Sequence, residues 1–428
     1  MRKSLTIIDP ITNVARYINP GELANRFIYS LQLFAIIFVL SAFFLPGTFL
    51  AQLSPIYQLL ARCPIAIETL CPLFMILLML RVRGAVLEQK ALAALFCLYM
   101  TPYVLAVFTG DPESRRYSEC FSVLYSYSID LCAVLIASSI RQVTASICFL
   151  GMLQGLYVLC YLHDPIHQFI SGETRRACGT FDNPDGLYTL MIVCVPLALA
   201  FLMESTNFWA RVYWIACGSI AFSGLVLTWY RAPAIAVSVG IIYLLVRAVP
   251  TTVYKRRLLI ACVACMAAMV LLVAFVRTRG EINEASAIRS DSGRIQIWGQ
   301  GLHILEQHWL CGVGPGAMKI EVMSSSLHTT ARYSIVEEPK NVVLLLLDQF
   351  GLGGGLLFVS MSLTIYRILR DSRDMIGLGL GSVWITLFVA GMFDSPFGIG
   401  PRACGNALVA CLIACVVLLP KEFVTSDA

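Results

Sequence analysis

Runs of about twenty apolar residues recur along nearly the whole chain, and this repetition restricts the possible folds more than any other feature. A helix of roughly 20 residues crosses a hydrocarbon core of about 30 Å, and backbone groups in lipid need partners within the same segment. The composition, 58% hydrophobic and 13% charged residues, is that of an integral membrane protein. The sequence therefore predicts an all-α fold, a polytopic transmembrane helical bundle.

The apolar runs predict twelve spans in a single membrane domain, residues 1–428. They lie near residues 27–45, 63–80, 91–108, 120–140, 143–162, 186–203, 208–228, 232–249, 258–276, 341–366, 376–392 and 403–420. A glycine-rich stretch from Gly351 to Gly355 is the candidate for a break within the tenth of these spans.

The polar segment 277–340 is far longer than the other gaps between apolar runs. Of the 31 Lys and Arg residues, 17 fall on one side of the membrane when the N-terminus is placed in the cytoplasm. Because basic residues accumulate in short cytoplasmic loops, we expect both termini in the cytoplasm. The large loop is then extracytoplasmic, and any chemistry that the protein performs is expected to involve it.

Charge and cysteine usage exclude several classes of function. The net charge of +5 follows from the inside-positive bias and gives no reason to expect a nucleic-acid partner. Most of the 16 cysteines fall inside apolar spans, where a thiol acts as a small hydrophobe. His163 and His167, beside Asp164, are too few to make a convincing metal site. We therefore expect neither a metal nor a cofactor.

Five arginines lie at the predicted outer face, in three separate loops. They are Arg175, Arg176, Arg231, Arg289 and Arg294. A guanidinium offers a planar fork of donors that matches phosphate oxygens, so the group is suited to binding a diphosphate. For most of these arginines contact with solvent or lipid headgroups is the alternative interpretation. Arg231 is the strongest candidate, since a charge next to the hydrocarbon is costly without a partner.

Apolar residues within the long loop recur at helical spacing. They are Ile295, Trp298, Leu302, Leu305 and Trp309. This pattern predicts an amphipathic helix on the outer surface of the membrane that the chain crosses, ended by the sequence CGVGPGAM. A loop that simply covers the bundle is compatible with the same pattern. Further on, Asp348 should lie about 10 Å into the membrane, where an acid is usually functional or paired.

Four motifs occur in a characteristic order: GTFDNPDG, then WYRAPA, then IWGQGLHILEQHWLCGVGPG, then NVVLLLLDQFGLGGGLLF. In this order the chain resembles the superfamily of O-antigen ligases and Wzy polymerases, which are polytopic bacterial glycosyltransferases that use undecaprenyl-diphosphate-linked glycans. The resemblance covers about residues 175–366, and its strongest parts are 298–316 and 341–355.

The resemblance implies roles for individual residues. Arg231 and Arg294, or less favourably Arg289, would bind the diphosphate and stabilise the charge of the leaving group without a metal. Ligases of this family carry a His-Asn pair where the loop meets the next span, whereas this chain has Lys340 and Asn341. Asn341, which keeps the second residue of the pair, is expected to bind substrate.

The missing histidine leaves the base that deprotonates the acceptor hydroxyl open. Glu337 and Glu338 are candidates because solvated carboxylates are ionised. Lys340 would need burial to act as a base and is better suited to holding phosphate. His328, in the same loop, is a third candidate.

The resemblance implies transfer of an undecaprenyl-diphosphate-linked oligosaccharide to an acceptor sugar hydroxyl on the periplasmic face of a bacterial inner membrane. The absence of the ligase histidine favours a surface-polysaccharide or exopolysaccharide polymerase over a ligase that attaches glycan to lipid A-core. The expected partners are the lipid-linked donor, the glycan or lipid A-core acceptor, and membrane lipids. A transporter or flippase is the alternative of another class, but it would place charged residues along a path at mid-membrane.

Overall fold

The computed structural model describes residues 87–109, 139–161, 168–171, 174–181, 184–248, 284–315, 341–370 and 374–393, together with residues 317, 339, 372, 413, 415 and 416. Within these residues the protein is almost entirely helical. The helices are α1 (Leu87–Thr109), α2 (Ile140–Cys160), α3 (Pro184–Glu204), α4 (Phe208–Leu227), α5 (Arg231–Ala248), α6 (Glu284–His308), α7 (Val342–Arg370) and α8 (Met375–Phe393). A short antiparallel hairpin, β1 (Gln168–Ser171) and β2 (Thr174–Ala177), lies between α2 and α3.

Seven of the twelve predicted spans coincide with α1 to α5, α7 and α8, with ends that agree within four residues. Six of these described helices, α2 to α5, α7 and α8, are long and apolar enough to cross a membrane. The predicted spans near 27–45, 63–80 and 258–276 lie outside the described residues. Of the span near 120–140 only residues 139 and 140 are described, and of the span near 403–420 only residues 413, 415 and 416. The protein is an integral membrane protein.

Helix α3 forms the centre of the bundle, with α2, α4, α5 and α8 packed around it. Of its most apolar 18-residue window, 83% is buried, whereas the corresponding value for α4 is 22%. A helix that is hydrophobic on all sides belongs in the interior or in lipid. The exposed Phe208, Trp209 and Ile215 of α4 are therefore available for contact with lipid.

Small residues let the helices approach closely, as is typical of membrane bundles. A side chain at Gly155 of α2 would meet the backbone oxygen of Ile220 of α4 at 2.7 Å. Where α5 meets α8, the Ser382 hydroxyl donates a hydrogen bond of 2.6 Å to the carbonyl oxygen of Gly240. Hydrogen bonds of this kind join helices where water is absent.

The two ends of the bundle differ in chemistry. At one end, Arg141 of α2 forms ion pairs with Glu204 of α3 and Asp374 before α8, and Arg247 of α5 donates to the carbonyl oxygen of Arg370. We call this the basic end. At the opposite end, which we call the hairpin end, lie the β-hairpin, the first residues of α3, α5 and α7, and the end of α8. The arginines predicted to be cytoplasmic thus lie opposite Arg176 and Arg231.

Candidate active site

The β-hairpin is held against α2 by a buried glutamine. Gln154 Nε2 donates to Thr180 Oγ1 at 2.7 Å, and Gln154 Oε1 accepts from the Thr180 backbone N–H at 3.2 Å. Gly179, with a φ of +61°, allows the chain to turn there, and a side chain at this position would lie 2.8 Å from Gln154 Oε1. The amide therefore fixes the segment that follows Arg176 at the hairpin end.

Arg176 and Tyr230 meet at the turn between α4 and α5. The Arg176 guanidinium carbon lies 4.9 Å from the centre of the Tyr230 ring, a cation–π contact. The Tyr230 hydroxyl donates a 2.6 Å hydrogen bond to Asp185 Oδ1 in the first turn of α3. The ring also packs edge-on against Tyr188, with centroids 5.0 Å apart. The hairpin, α3 and the α4–α5 turn thus share one cluster of side chains.

Arg231 is the first residue of α5 and is exposed. The turn before it is tight: Thr228 donates through its hydroxyl to the carbonyl oxygen of Leu225 at 2.7 Å. Trp229 has a φ of 60°, which a non-glycine residue adopts only at a cost. The structure therefore brings two of the five predicted arginines, Arg176 and Arg231, to the same turn.

Helix α7 is broken at Gly351, within the stretch from Gly351 to Gly355 that the sequence predicted. The break lies opposite the loop after α6, residues 309–315, which we call the glycine-proline loop. Gly351 has φ 62° and ψ −155°, which interrupts the helical hydrogen bonds. The carbonyl oxygens of Asp348 and Gln349 instead accept from the N–H groups of Val313 and Gly314 at 2.8 and 2.9 Å. The loop after α6 therefore repairs the backbone of the broken helix.

Leu352 completes the connection, because its N–H donates to the carbonyl oxygen of Trp309 at 2.8 Å. A side chain at Gly312 would approach the carbonyl oxygen of Gln349 to 2.6 Å, so only glycine fits between the two backbones. The two glycine-containing motifs, far apart in sequence, form a single structural unit that fixes the end of α6 on α7.

Helix α6 runs along α7 in the same direction. Gly301 packs on Leu344 and Asp348, and the later residue Trp309 bonds to the later residue Leu352. Arg294 precedes Gly301 by seven residues, which is about 10 Å of helix. Asn341 precedes Asp348 by the same number of residues. The backbone of Arg294 therefore lies on the part of α6 that is nearer to the start of α7.

The predicted amphipathic helix exists as α6, and it has two apolar faces. Ile297, Gly301 and Ile304 are buried, and Gly301 meets α7. In contrast, Ile295 and Leu302 of the predicted face are exposed, and so is Trp309 just beyond the helix. This second face is the one available to a membrane surface, and contact with that surface stays a prediction.

Asn341 caps α7. Its Oδ1 accepts from the N–H groups of Val343 and Leu344 at 3.0 and 3.1 Å, and its Nδ2 donates to the carbonyl oxygen of Met392 at 2.9 Å. An Asn in this position satisfies helix N–H groups that otherwise lack partners. The side chain thus ties the beginning of α7 to the end of α8.

Asp348 is fully buried, about two turns beyond Asn341 on α7. Neither carboxyl oxygen has a hydrogen-bond partner among the residues that the structure describes. Any side chain at Gly301 of α6 would lie 2.7 Å from Asp348 Oδ2. The acid is thus held at the contact between α6 and α7.

The predicted site residues fall into three groups. The side chains of Arg176, Arg231 and Asn341 are described. Only the backbone is described for Arg175 in β2 and for Arg289 and Arg294 in α6. His328, Glu337, Glu338 and Lys340 lie outside the described residues. In the described ranges no group of three His, Cys, Asp or Glu side chains is arranged to hold a metal.

The sequence patterns did not indicate the roles of Asp185, Tyr230 and Gln154, and they predicted a loop where the hairpin lies. Asp185 and Tyr230 belong to the GTFDNPDG and WYRAPA motifs, but nothing in either motif indicates that they meet across 45 residues. The hairpin had a local signal: Ser171 pairs with Thr174, and a two-residue connection that begins with glycine is common in hairpins.

Residues 216–359 match the family model described as O-Antigen ligase. The matched range begins in α4 and contains Arg231, α6, the glycine-proline loop and the break in α7. No curated protein matches the chain significantly. The family match confirms the resemblance seen in the sequence: residues 216–359 are similar to the O-antigen ligase family.

Proposed function

We propose that this protein is a surface-polysaccharide or exopolysaccharide polymerase. In this proposal it transfers an oligosaccharide from undecaprenyl diphosphate to a sugar hydroxyl at the periplasmic face of the inner membrane. The family match already supports glycan transfer of the ligase or polymerase type. The observation that carries the proposal is that the matched range has Arg231 exposed at the start of α5, at the hairpin end of the bundle, beside the turn that Arg176 contacts; Arg294, on the part of α6 nearer to the start of α7, is the second arginine of the proposal.

The reaction joins the acceptor oxygen to the anomeric carbon of the donor. The bond from that carbon to the diphosphate oxygen breaks, the lipid diphosphate leaves, and the hydroxyl proton passes to a base. Charge develops on the leaving diphosphate, so fixed guanidinium groups stabilise the transition state more than the ground state. In our proposal Arg231 and Arg294 supply that stabilisation in place of a metal ion, and Arg175, Arg176 and Arg289 help to bind the donor.

The base lies in the segment just before α7. Glu337 or Glu338 receives the proton in this mechanism, while Lys340 holds the diphosphate; His328 is the alternative proton acceptor. Asn341 contributes to substrate binding only through its backbone groups, because its side chain caps α7 and donates to the carbonyl oxygen of Met392. Because undecaprenyl diphosphate is itself a good leaving group, loss of the ligase histidine is tolerated.

The polymerase and ligase alternatives are separated by the glycans of a strain that lacks the gene. A polymerase defect leaves single repeat units on lipid A-core, whereas a ligase defect leaves full-length chains on undecaprenyl diphosphate. Unchanged chain length and attachment would refute both.

Complementation with Arg231→Ala separates an enzyme from a transporter. The variant should not restore polymer in the deletion strain. A transporter in which Arg231 only contacts headgroups would keep its activity.

Transfer by the purified protein in lipid should persist in a metal chelator, and a requirement for a divalent cation would refute the arginine mechanism.

A further inference from the structure

The hydrogen bond between Tyr230 and Asp185 is not explained by the mechanism above. Tyr230 is partly buried at the turn that carries Arg231, and three contacts fix its ring: Asp185, Tyr188 and Arg176. A phenol that donates to a carboxylate at 2.6 Å forms a charge-assisted bond, which is stronger than one between neutral groups. So strong a bond limits the motion of the turn.

The carboxylate itself is held in place by its position. Asp185 is in the first turn of α3, where the partial positive charge of the helix N-terminus favours an anion. Its backbone carbonyl also accepts from the Thr189 hydroxyl at 2.6 Å. Because α3 is the central helix of the bundle, Asp185 gives Tyr230 a rigid reference point.

The arginine on the other side of Tyr230 is held differently. Arg176 Nε is buried and has no hydrogen-bond partner within the described part of the chain. The ring face of Tyr230 supplies the favourable electrostatics at 4.9 Å. A cation–π contact uses none of the N–H groups as hydrogen-bond donors, so the terminal nitrogens of the guanidinium remain able to donate in the plane of the group.

The backbone of the turn between α4 and α5 is strained at Trp229. Trp229, directly before Tyr230, has a φ of 60°. Strained backbone persists only where the surroundings impose it, and it is concentrated at functional sites. The bonds made by Thr228 and Tyr230 on either side of Trp229 fix this conformation, and the next residue is Arg231.

We propose that Tyr230 and Asp185 are a positioning pair that sets Arg176 and Arg231 at the correct spacing for one diphosphate-bearing donor. This inference rests on the proposed function. Tyr230 acts on both arginines, through its ring on Arg176 and through the backbone on Arg231. Neither member of the pair touches the reacting atoms.

Substitutions at two positions separate the contributions of the pair. Tyr230→Phe keeps the ring and removes the hydrogen bond, and it should raise KM for the lipid-linked donor about tenfold, the effect of losing one hydrogen bond to a charged group. Tyr230→Leu should raise KM further, by a factor of about 2–5, because the cation–π contact is lost as well. Asp185→Ala should behave as Tyr230→Phe, whereas Asp185→Asn, whose amide oxygen still accepts, should restore most of the affinity.

Tyr213→Phe is the matched control. Tyr213 lies 15 residues before Thr228 on α4, about 22 Å away, and the same hydroxyl deletion there should leave KM unchanged. The proposal is overturned if Tyr230→Phe and Asp185→Ala keep wild-type KM. It is also overturned if they lower the thermal midpoint while KM of the folded protein stays constant, since the pair would then be structural only.

Binding of undecaprenyl diphosphate in detergent micelles distinguishes failure of this inference from failure of the proposed function. Weaker binding by Tyr230→Phe than by wild type supports the positioning pair even if no glycan is transferred. If wild type transfers glycan and Tyr230→Phe binds the probe equally well, the positioning pair is wrong and the proposed function stands. If wild type does not bind the probe at all, both are wrong.

Discussion

Replacement of Gly351 by alanine tests whether the broken α7 is required by the structure. Gly351 has φ 62° and ψ −155°, a conformation that is almost exclusive to glycine. The new methyl group would also lie 2.6 Å from the backbone nitrogen of Cys311 and would overlap the carbonyl group of Leu310. Both neighbours are backbone atoms, so no side-chain rotation relieves the overlap.

The expected destabilisation follows from these two effects. A non-glycine residue in such a backbone region costs about 1–3 kcal/mol, and overpacking typically costs about 1–3 kcal/mol more. Together they amount to roughly 2–6 kcal/mol, against a total stability of about 5–15 kcal/mol for an average domain. Gly351→Ala should therefore detach the glycine-proline loop from α7 and lower the thermal midpoint markedly.

Gly353→Ala is a control two residues away on the same helix. Nothing lies within 4 Å of a side chain built there, and the residue is exposed. Alanine favours helix over glycine by about 0.5–1 kcal/mol, so this variant should be as stable as wild type or slightly more stable. Thermal unfolding in detergent, followed by the loss of monodisperse protein, measures both. Equal midpoints for the two variants would refute the reasoning.

Three further outcomes are expected. Arg231→Lys should keep folding but lower kcat for glycan transfer at least tenfold, because an ammonium lacks the planar fork; wild-type turnover would contradict the role of Arg231. Asn341→Ala should lower the free energy of unfolding by about 1 kcal/mol through loss of the cap, and Asn341→Asp should recover most of it; the same loss in both would argue against capping. Gly301→Ala should loosen α6 from α7 because its methyl group would lie 2.9 Å from Leu344 Cδ2, so new proteolytic cleavage near α6 should appear in this variant and not in wild type.

Hydropathy was sufficient to place the described spans within four residues, because lipid forces every crossing segment to satisfy its own backbone. It also located the helix break, since four glycines within five residues leave few alternatives to one. The positive-inside rule, which depends only on the order of loops and charges, predicted that Arg176 and Arg231 lie on the same side, and both are at the hairpin end; which side of the membrane that is stays a prediction.

The groups that hydrogen-bond to the broken backbone of α7 could not be predicted from the sequence. A glycine run indicates that a helix is interrupted, but it does not say which backbone groups repair it; the N–H groups of Val313 and Gly314 do so from a loop 35 residues earlier. In the same way, the position of Asn341 in the family motif predicted a binding residue. Its hydrogen bonds to Val343, Leu344 and Met392 give it a structural role.

The sequence by itself determined that this chain crosses a membrane, which residues bear its charge, and the family to which residues 216–359 are similar. These properties depend on local composition and on motif order. Only the tertiary structure decided that Tyr230 joins Arg176 to Asp185 and that α6 runs beside α7. Such contacts depend on how helices pack, and helix packing depends on surfaces contributed by distant parts of the chain.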